Sequence, residues 1–271
     1  MLNKRQNLTK SYNEQNLYVV ILSFIGGLMS FGLVYEIVPD DLRTLQKLFV
    51  TFDIDWASDE VLEYCIDIVE KANIKATWFV THETPLLKRL RSNPNFELGI
   101  HPNFNPLLEG DFVYGKNYKE VLKYYLNIVP EAKSMRSHCL GVSSRILQDA
   151  KNLGITHDSN LCIPMMATNP DKKGFLGPYI DWDSLIRCPY FWEDGMSCIY
   201  ERKINFKDFL YQSNFYFMVA FHPIHVFLNT ESLNRYESAR KYFHNYSELK
   251  RFRNNSTYGS CDILKDVLAC V

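Results

Sequence analysis

Ionisable side chains recur at the ends of the predicted strands of this chain of 271 residues. Taken singly, each has a simpler interpretation, since a strand-end aspartate often caps a helix and a lone histidine is usually a core residue. Together they would repel one another or stay unsatisfied unless a metal ion or a substrate tied them together. The pattern therefore predicts an active site formed from Asp53, Asp55, His101, Arg136, His138, Asp158, His222 and His225.

Asp53 and Asp55 are the most informative of these residues. They lie two positions apart, so on an extended strand both carboxylates point to the same side. Two carboxylates this close are costly to ionise together unless a cation lies beside them. We expect one of the two carboxylates to be a metal ligand and the other a general base, and the spacing alone does not say which is which.

Strand-like and helix-like segments alternate from about residue 47 onward. Four strand–helix units in succession indicate parallel strands with right-handed crossovers, hence an α/β sheet or barrel. In such folds the carboxyl ends of the strands face one mouth, where catalytic groups collect. The predicted strands are 48–55, 75–81, 96–101, 133–138, 155–160 and 215–222; the predicted helices are 58–73, 84–93, 117–129, 143–154 and two near 231–247 and 261–270.

The composition excludes several classes of protein. A formal net charge of −1 argues against a nucleic-acid-binding protein, which would normally carry a basic surplus on one face. The hydrophobic fraction of 46% argues against disorder. The seven cysteines are scattered, odd in number and without a CxxC pair, so we interpret them mostly as buried apolar residues in a reducing compartment. The oligomeric state is not predicted.

The segment 17–35 carries no charge and is about long enough to cross a hydrocarbon core of ~30 Å. Lys4, Arg5 and Lys10 precede it and acidic residues follow it. This arrangement predicts a single-pass helix in a bacterial inner membrane with its N-terminus in the cytoplasm. The alternative is an apolar helix or strand pair packed on the barrel of a cytoplasmic protein. An exported domain with seven unpaired cysteines would be unusual, so the two observations conflict.

Two motifs resemble those of the polysaccharide deacetylases (the NodB homology family, carbohydrate esterase family 4). VTFDIDWA is followed about 45 residues later by ELGIHPNFN, and an arginine motif and a late strand ending in histidine come after them. The version found here is similar to the WbmS-like branch, associated with O-antigen loci, over roughly residues 47–230. The resemblance implies a (β/α) barrel, distorted and seven-stranded, in a catalytic domain of residues 44–271 that follows an N-terminal segment, 1–43.

The resemblance also implies roles for the first motifs. Asp53 would be the general base and Asp55 a metal ligand, although the family commonly has adjacent aspartates and the two roles could be exchanged. His101 matches the first histidine of the family's HxxxH motif and would be the second ligand. The second histidine position holds Asn105, whose amide oxygen binds zinc less well than imidazole does. The site could use Asn105 as a weaker ligand, recruit His138, or have lost its metal.

The later motifs would complete the site. Arg136 matches the arginine that holds the base through a bidentate contact. His222 matches the general acid, with His225 beside it to orient it or contact substrate. His138 would be an extra ligand or a substrate contact, and Asp158 would hold a histidine in its correct tautomer.

The motif FWEDG would form a wall of the pocket, in which Trp192 stacks on a sugar face and Glu193 and Asp194 lie beside it. Core packing is the alternative for Trp192. These roles imply a metal-dependent hydrolase that removes N-acetyl or O-acyl groups from a sugar of a surface polysaccharide or its precursor. The expected cofactor is a divalent metal ion, zinc before others. Two alternatives remain open: a glycan-binding protein that has lost catalysis, and a metal-dependent hydrolase of non-sugar amides.

Overall fold

The computed structural model describes residues 30–164, 176–200 and 216–270. Within these ranges ten strands form one sheet. The strands are β1 (Ser30–Phe31), β2 (Lys47–Asp53), β3 (Ala76–Val80), β4 (Phe96–Ile100), β5 (Ser134–Met135), β6 (His157–Asp158), β7 (Tyr179–Ile180), β8 (Ile186–Arg187), β9 (Trp192–Glu193) and β10 (Phe217–Phe221).

Helices connect and cover these strands. They are α1 (Leu42–Leu45), α2 (Asp59–Ala72), α3 (Leu86–Ser92), α4 (Asn105–Leu108), α5 (Tyr118–Ile128), α6 (Ser144–Asn152), α7 (Asp194–Ile199), α8 (Pro223–Leu228), α9 (Leu233–Ala239), α10 (Tyr246–Leu249) and α11 (Ser260–Leu268). Short 3-10 turns occur at Val34–Glu36, His138–Leu140, Arg240–Tyr242 and Lys250–Phe252.

The sheet has the strand order β7-β8-β6-β5-β4-β3-β2-β10-β9, with β1 paired to the start of β2. All pairs are parallel except β7 with β8, so the sheet is mixed. It is also curled, because a parallel bridge between Cys162 and Tyr190 joins the chain beyond β6 to the chain before β9. The predicted α/β class is confirmed, in the form of a curled, partly closed sheet with short strands on one side.

The central strands are hydrophobic on both faces, as expected for a sheet covered by helices. Phe52 on β2 lies opposite Trp78 on β3 and Phe221 on β10. Its ring stacks on Trp78 with centroids 4.2 Å apart and on Phe221 at 5.8 Å. This aromatic layer fixes the carboxyl ends of three adjacent strands relative to one another.

Helix α2 shows how the sequence sets the boundaries of an element. Ser58 precedes it with extended backbone, and Asp59 and Glu60 occupy the first turn, where the helix dipole favours negative charge. Asn73 ends the helix in the left-handed conformation with φ 53°. Its buried face packs Val61, Leu62, Cys65, Ile66 and Val69 into the core.

Residues 30–37 cross the amino-terminal ends of the strands. Val34 N donates to Thr77 Oγ1 and Tyr35 N to Glu97 Oε2, while the Ile37 carbonyl lies 3.0 Å from His157 Nε2. Leu33, Val34 and Ile37 are buried. This segment therefore covers the end of the sheet opposite to the carboxyl ends of the strands.

The predicted helix over 17–35 is wrong at its carboxyl end. Ser30–Phe31 is a strand, because it pairs with Lys47 and Leu48 of β2, and a 3-10 turn follows it. Residues 17–29 lie outside the described residues. No helix in the described ranges is long and apolar enough to cross a membrane.

Cys65, Cys139, Cys162, Cys188, Cys198 and Cys261 are free thiols. Cys65, Cys188, Cys198 and Cys261 are buried and Cys139 is exposed. The interpretation of most of them as small buried residues rather than a disulfide framework therefore agrees with the structure.

Candidate active site

A cavity of about 740 Å³ opens at the carboxyl ends of β2, β4, β9 and β10. It combines ionisable groups from separate strands with an apolar wall from α7 to α9 and the turn after α9. Its lining includes Asp53, Asp55, Trp56, His101, Ser137, His138, Cys162, Tyr190, Glu193, Gly195, Met196, Ile199, His222, His225, Leu233, Tyr236, Arg240, Phe243 and His244. Asp53, Asp55, His101, His138, His222 and His225 of the predicted set thus meet in one cavity.

The backbone conformation that places Asp53 and Asp55 in this cavity differs from the predicted one. β2 ends at Asp53, and Asp55 and Trp56 then adopt left-handed backbone with φ 37° and 52°. Such values are uncommon for residues other than glycine and cost free energy, as is frequent at functional sites. The turn is held by Trp56 N, which donates to Thr81 Oγ1 at 3.1 Å. A tight turn, not an extended strand, therefore brings the carboxylates together.

Asp55, His101 and His138 form the only group of three potential ligands among the His, Cys, Asp and Glu side chains of the described ranges, and we call it the metal group. Their ligand atoms lie within 4.8 Å of one another. Asp55 Oδ1 is 3.2 Å from both His101 Nε2 and His138 Nδ1. Burial acts to raise the pKa of Asp55, but hydrogen bonds from the two histidines hold it well below its ordinary value.

The donor chemistry of the metal group suits a divalent cation. Two imidazole nitrogens and one carboxylate oxygen are a ligand set of catalytic zinc sites, which keep a further position open. His101 Nδ1 is buried and makes no hydrogen bond within the described part of the chain. The side chains present therefore fit a metal ion.

Asn105, predicted as the third ligand, is not among the cavity-lining residues, and His138 lies beside Asp55 and His101 instead. The two positions of an HxxxH motif share one face when both lie on the same helix or the same strand. Here β4 ends at Ile100 and α4 begins only at Asn105, so His101 and Asn105 do not have that geometry. His138 reaches the site because its backbone N–H donates to the Pro102 carbonyl, which lies next to His101.

Arg136 is 1% exposed and holds Asp53, which is 3% exposed. Its Nη1 donates to Asp53 Oδ1 at 2.9 Å and to Thr51 Oγ1 at 2.8 Å. Nε and Nη2 donate to the backbone carbonyl and the hydroxyl of Ser159. The contact with Asp53 is thus a single hydrogen bond and not the predicted bidentate pair, because the remaining donors serve Ser159.

The guanidinium group is also enclosed by aromatic rings. Its central carbon lies 4.7 Å from the centroid of Phe79 and 4.4 Å from that of Tyr190. Such cation–π contacts stabilise a buried arginine whose charge would otherwise be costly. Arg136 is therefore fixed in position, and it fixes Asp53 in turn.

His222 directly follows β10 and is oriented by Asp194. Its Nδ1 lies 2.7 Å from Asp194 Oδ1, and its backbone N–H donates to Asp194 Oδ2. Its Nε2 faces the cavity, 3.9 Å from Asp53 Oδ2 and 3.6 Å from Asp55 Oδ2. Burial acts to lower the pKa of His222, but the carboxylate of Asp194 outweighs burial and raises it well above its ordinary value.

Asp158 does not have the predicted role of holding a histidine. It is fully buried outside the cavity lining, accepts hydrogen bonds from Asn160, and pairs with Arg187 Nε at 2.8 Å. β6 ends at Asp158 and pairs with β8, so its side chain meets Arg187 on that neighbouring strand. Asp194, predicted only as part of the pocket wall, takes the place next to the histidine.

Trp192 and His225 end up in different environments. Trp192 is 4% exposed and packs on Phe221 with ring centroids 5.1 Å apart, so it belongs to the core and not to a sugar platform. His225 lines the cavity, and its ring stacks on Tyr236 at 4.6 Å. Of these two residues, only His225 faces the cavity.

Three residues that contact Arg136 were not predicted from the sequence: Thr51, Ser159 and Tyr190. Thr51 carried a usable signal, because it precedes Asp53 by two positions on β2 and so shares its face. Ser159 follows directly after a strand. Tyr190 lies in a stretch without regular periodicity, and nothing in the sequence connects it with Arg136.

The model of the WbmS-like polysaccharide deacetylases matches residues 50–240. The chain belongs to this family. The match spans both aspartates, the histidines of the metal group, Arg136 and His222, so the family assignment and the cavity concern the same part of the chain.

A solved structure is closely similar. It is the crystal structure of a candidate polysaccharide deacetylase involved in O-antigen biosynthesis (WbmS) from Bordetella bronchiseptica, 41% identical over 89% of this chain and 97% of that chain, with a TM-score of 0.81. A candidate polysaccharide deacetylase from Mycobacterium smegmatis is 14% identical over 72% of this chain and 82% of that chain, with a TM-score of 0.42. None of the curated proteins compared with the chain matches it.

Proposed function

We propose that this protein is a metal-dependent hydrolase that removes N-acetyl or O-acyl groups from a sugar of a surface polysaccharide or its precursor. The observation that carries the proposal is the convergence of three units on one cavity: the Asp53–Arg136 pair, the Asp194–His222 pair and the metal group. The B. bronchiseptica relative is described as involved in O-antigen biosynthesis, which supports a polysaccharide substrate.

We further propose zinc as the metal, bound by Asp55, His101 and His138. Two imidazole nitrogens favour zinc over magnesium or calcium, which prefer oxygen ligands. When bound, the cation supplies Lewis-acid chemistry: it polarises the acyl carbonyl and lowers the pKa of a water molecule.

Asp53 is the proposed general base. Arg136 holds its Oδ1, so Oδ2 is the oxygen available to the cavity. A proton of the attacking water passes to this carboxylate as the water oxygen bonds to the acyl carbon. Asp55 touches both histidines of the metal group, which supports the assignment of Asp53 as the base and Asp55 as the ligand.

His222 is the proposed general acid. Asp194 holds Nδ1, so Nε2 is the atom that gives a proton to the departing nitrogen or oxygen as the carbon–nitrogen or carbon–oxygen bond breaks. The products are the carboxylic acid and the free amino sugar or alcohol. Asp194 acts through His222 and is a positioning residue.

The curled sheet supports a finer description of the fold. The strands β9, β10, β2, β3, β4, β5 and β6 are neighbours in that order, and the Cys162–Tyr190 bridge joins the two ends of the series. We infer a distorted seven-stranded barrel, which would place every proposed catalytic group at one rim.

Acetate release from N-acetylhexosamine glycosides and oligosaccharides, together with the zinc content of the purified protein, tests the proposal. Asp53→Asn keeps the shape of the side chain and removes the base, so we expect kcat to fall about 10²- to 10⁴-fold. Asp67→Asn makes the same chemical change on the exposed face of α2 and should leave the rate unchanged.

Three other outcomes would contradict the proposal in different ways. Full activity of Asp53→Asn would refute the assignment of the base. Hydrolysis of small amides but of no sugar would favour a non-sugar amide hydrolase. A purified protein that binds glycans, retains no metal and releases no acetate would favour a binding protein without catalysis.

A further inference from the structure

Glu193 brings a third carboxylate to the cavity, beside Asp53 and Asp55, and the proposed reaction does not use it. It ends β9 and lines the cavity. Its Oε2 accepts a hydrogen bond from Tyr190 Oη at 2.8 Å. No residue in the described ranges donates a hydrogen bond to Oε1. Burial raises the pKa of Glu193, and the hydrogen bond from Tyr190 acts against this.

His225 is the second polar group in this part of the cavity. It is 7% exposed, and its ring lies against Tyr236 with an interplanar angle of 15°. Burial lowers its pKa to about 4, so the ring is neutral at pH 7. Its Nδ1 is buried without a hydrogen-bond partner among the described residues. A neutral imidazole offers one donor and one acceptor.

Gly195 keeps open the space between these two groups. A Cβ atom at this position would lie 3.4 Å from Glu193 Oε1 and 3.5 Å from His225 Nε2. Both polar atoms therefore face the same small space, which only the absence of a side chain at residue 195 leaves free. The distances are ordinary contacts, so alanine would fit there without displacing the backbone.

The chemistry of this space suits a hydroxyl group. A hydroxyl can donate to Glu193 Oε1 while its oxygen interacts with His225 Nε2, since it is both donor and acceptor. Met196, Ile199 and Leu233 line the same cavity and offer an apolar surface for the C–H face of a ring. A sugar ring combines both properties, whereas a small aliphatic amide has neither hydroxyl nor ring.

We propose that Glu193, Gly195 and His225 form a subsite that binds a hydroxyl of the substrate's sugar ring and so sets which acyl group reaches the metal group. The identity of the ligand as a sugar rests on the proposed function. The subsite itself rests on the two polar atoms and the glycine between them.

Gly195→Ala tests the subsite because it fills the space and leaves every proposed catalytic group in place. For the zinc-loaded enzyme we expect kcat/KM on an N-acetylhexosamine glycoside to fall roughly 10- to 100-fold, mainly through KM. With 4-nitrophenyl acetate, which has no hydroxyl group, the value should be unchanged. Residue 195 lies in α7, where alanine is favoured over glycine, so thermal stability should not fall.

Gly141→Ala is the matched control. A Cβ there would meet only ordinary contacts at 3.6 Å or more, and Gly141 does not line the cavity. Glu193→Gln is a second, independent variant, since it removes the charge at Oε1 with little change of shape. An equal loss on both substrates, or no loss on either, would overturn the inference.

A binding measurement tests the subsite independently of the proposed hydrolase activity. If the wild-type protein hydrolyses no sugar, calorimetry with a panel of N-acetylhexosamines still tests the subsite. Weaker binding by Gly195→Ala and Glu193→Gln than by Gly141→Ala would support it while the proposed function fails. Equal affinity in all variants, or no binding of any panel member by the wild type, would overturn it.

Discussion

Replacing Arg136 by methionine tests the central contact of the site. Arg136 Nη1 and Asp53 Oδ1 are 2.9 Å apart, and the two residues are 1% and 3% exposed. Methionine is apolar and flexible, so it can occupy much of the space between Phe79 and Tyr190. The main consequence is that the carboxylate of Asp53 stays buried without its cation.

The magnitude follows from this burial. Removing one partner of a buried ion pair costs about 3–5 kcal/mol, because the other charge is left uncompensated. Asp53→Asn in the same background removes that charge as well. The double variant should therefore be more stable than the sum of the single losses predicts, with a coupling free energy of about 1–3 kcal/mol.

Urea unfolding of the wild type, the two single variants and the double variant measures the coupling free energy. EDTA in the buffer removes interference from metal binding. Acetate release by the zinc-loaded proteins measures the effect on function. Because Arg136 positions the base, we expect the rate of Arg136→Met to fall at least about 10²-fold.

Arg187→Met is the matched control, since Arg187 Nε pairs with the fully buried Asp158 at 2.8 Å outside the cavity. It should lose stability by a similar mechanism and, where folded, keep its rate of acetate release. If the stability losses of Arg136→Met and Asp53→Asn simply add in the double variant, the unpaired buried carboxylate is not the cause of the loss. If Arg187→Met loses as much of its rate of acetate release as Arg136→Met does, Arg136 has no special role in positioning the base.

Three further predictions concern the metal, the acid and the pH dependence of folding. His138→Ala should weaken zinc binding, measured by competition with a chelator. The loss should exceed the roughly 10- to 100-fold that is typical of removing a residue that only hydrogen-bonds to a metal ligand. Asp194→Asn should lower kcat by about 10²- to 10⁴-fold with little change in KM, because His222 loses its orientation. Burial lowers the pKa of His157 below its ordinary value of 6.5, so stability is full above that value and lost as pH falls below it. Denaturant unfolding should show this as up to about 1.4 kcal/mol per pH unit.

Each of these predictions has a control. Asn105→Ala should leave zinc affinity unchanged, and a loss equal to that of His138→Ala would restore Asn105 as a ligand. Asp194→Asn with unchanged kcat would show that His222 needs no orienting carboxylate. His157→Gln should flatten the pH dependence of stability, and an unaltered profile in that variant would assign the effect to another group.

Much of the fold could be predicted because hydrophobic periodicity is local. The buried runs of β2, β3, β4 and β10 and the amphipathic faces of α2 and α5 were visible in the sequence. The positions of the short strands β7, β8 and β9 could not be predicted, since they lie in a stretch without regular periodicity, whereas β5 and β6, which are equally short, lie between predicted helices. The antiparallel pair β7–β8 is a local hairpin, closed by hydrogen bonds from the Asp181 N–H to the Leu185 carbonyl and from the Ser184 N–H to the Asp181 carbonyl.

The metal group shows where spacing fails as a guide to a site. The sequence indicated Asp55 and His101 correctly as partners in one cavity, and the family motif suggested Asn105 as the next ligand. In the structure α4 starts only at Asn105 and the His138 N–H donates to the Pro102 carbonyl, so His138 rather than Asn105 lies beside Asp55 and His101. Such contacts join residues far apart in the chain, and no local pattern encodes them.

By itself the sequence determined the chemical inventory and its order: two aspartates after a buried strand, histidines and an arginine after later strands, and a parallel α/β arrangement that brings strand ends together. Only the tertiary structure decided the pairings. Asp194, not Asp158, contacts His222, and Trp192 lies in the core while Glu193 faces the cavity. The physical reason is that the type of each element and its place along the chain follow from local patterning, whereas the choice among neighbouring carboxylates depends on ångström-scale geometry across the sheet.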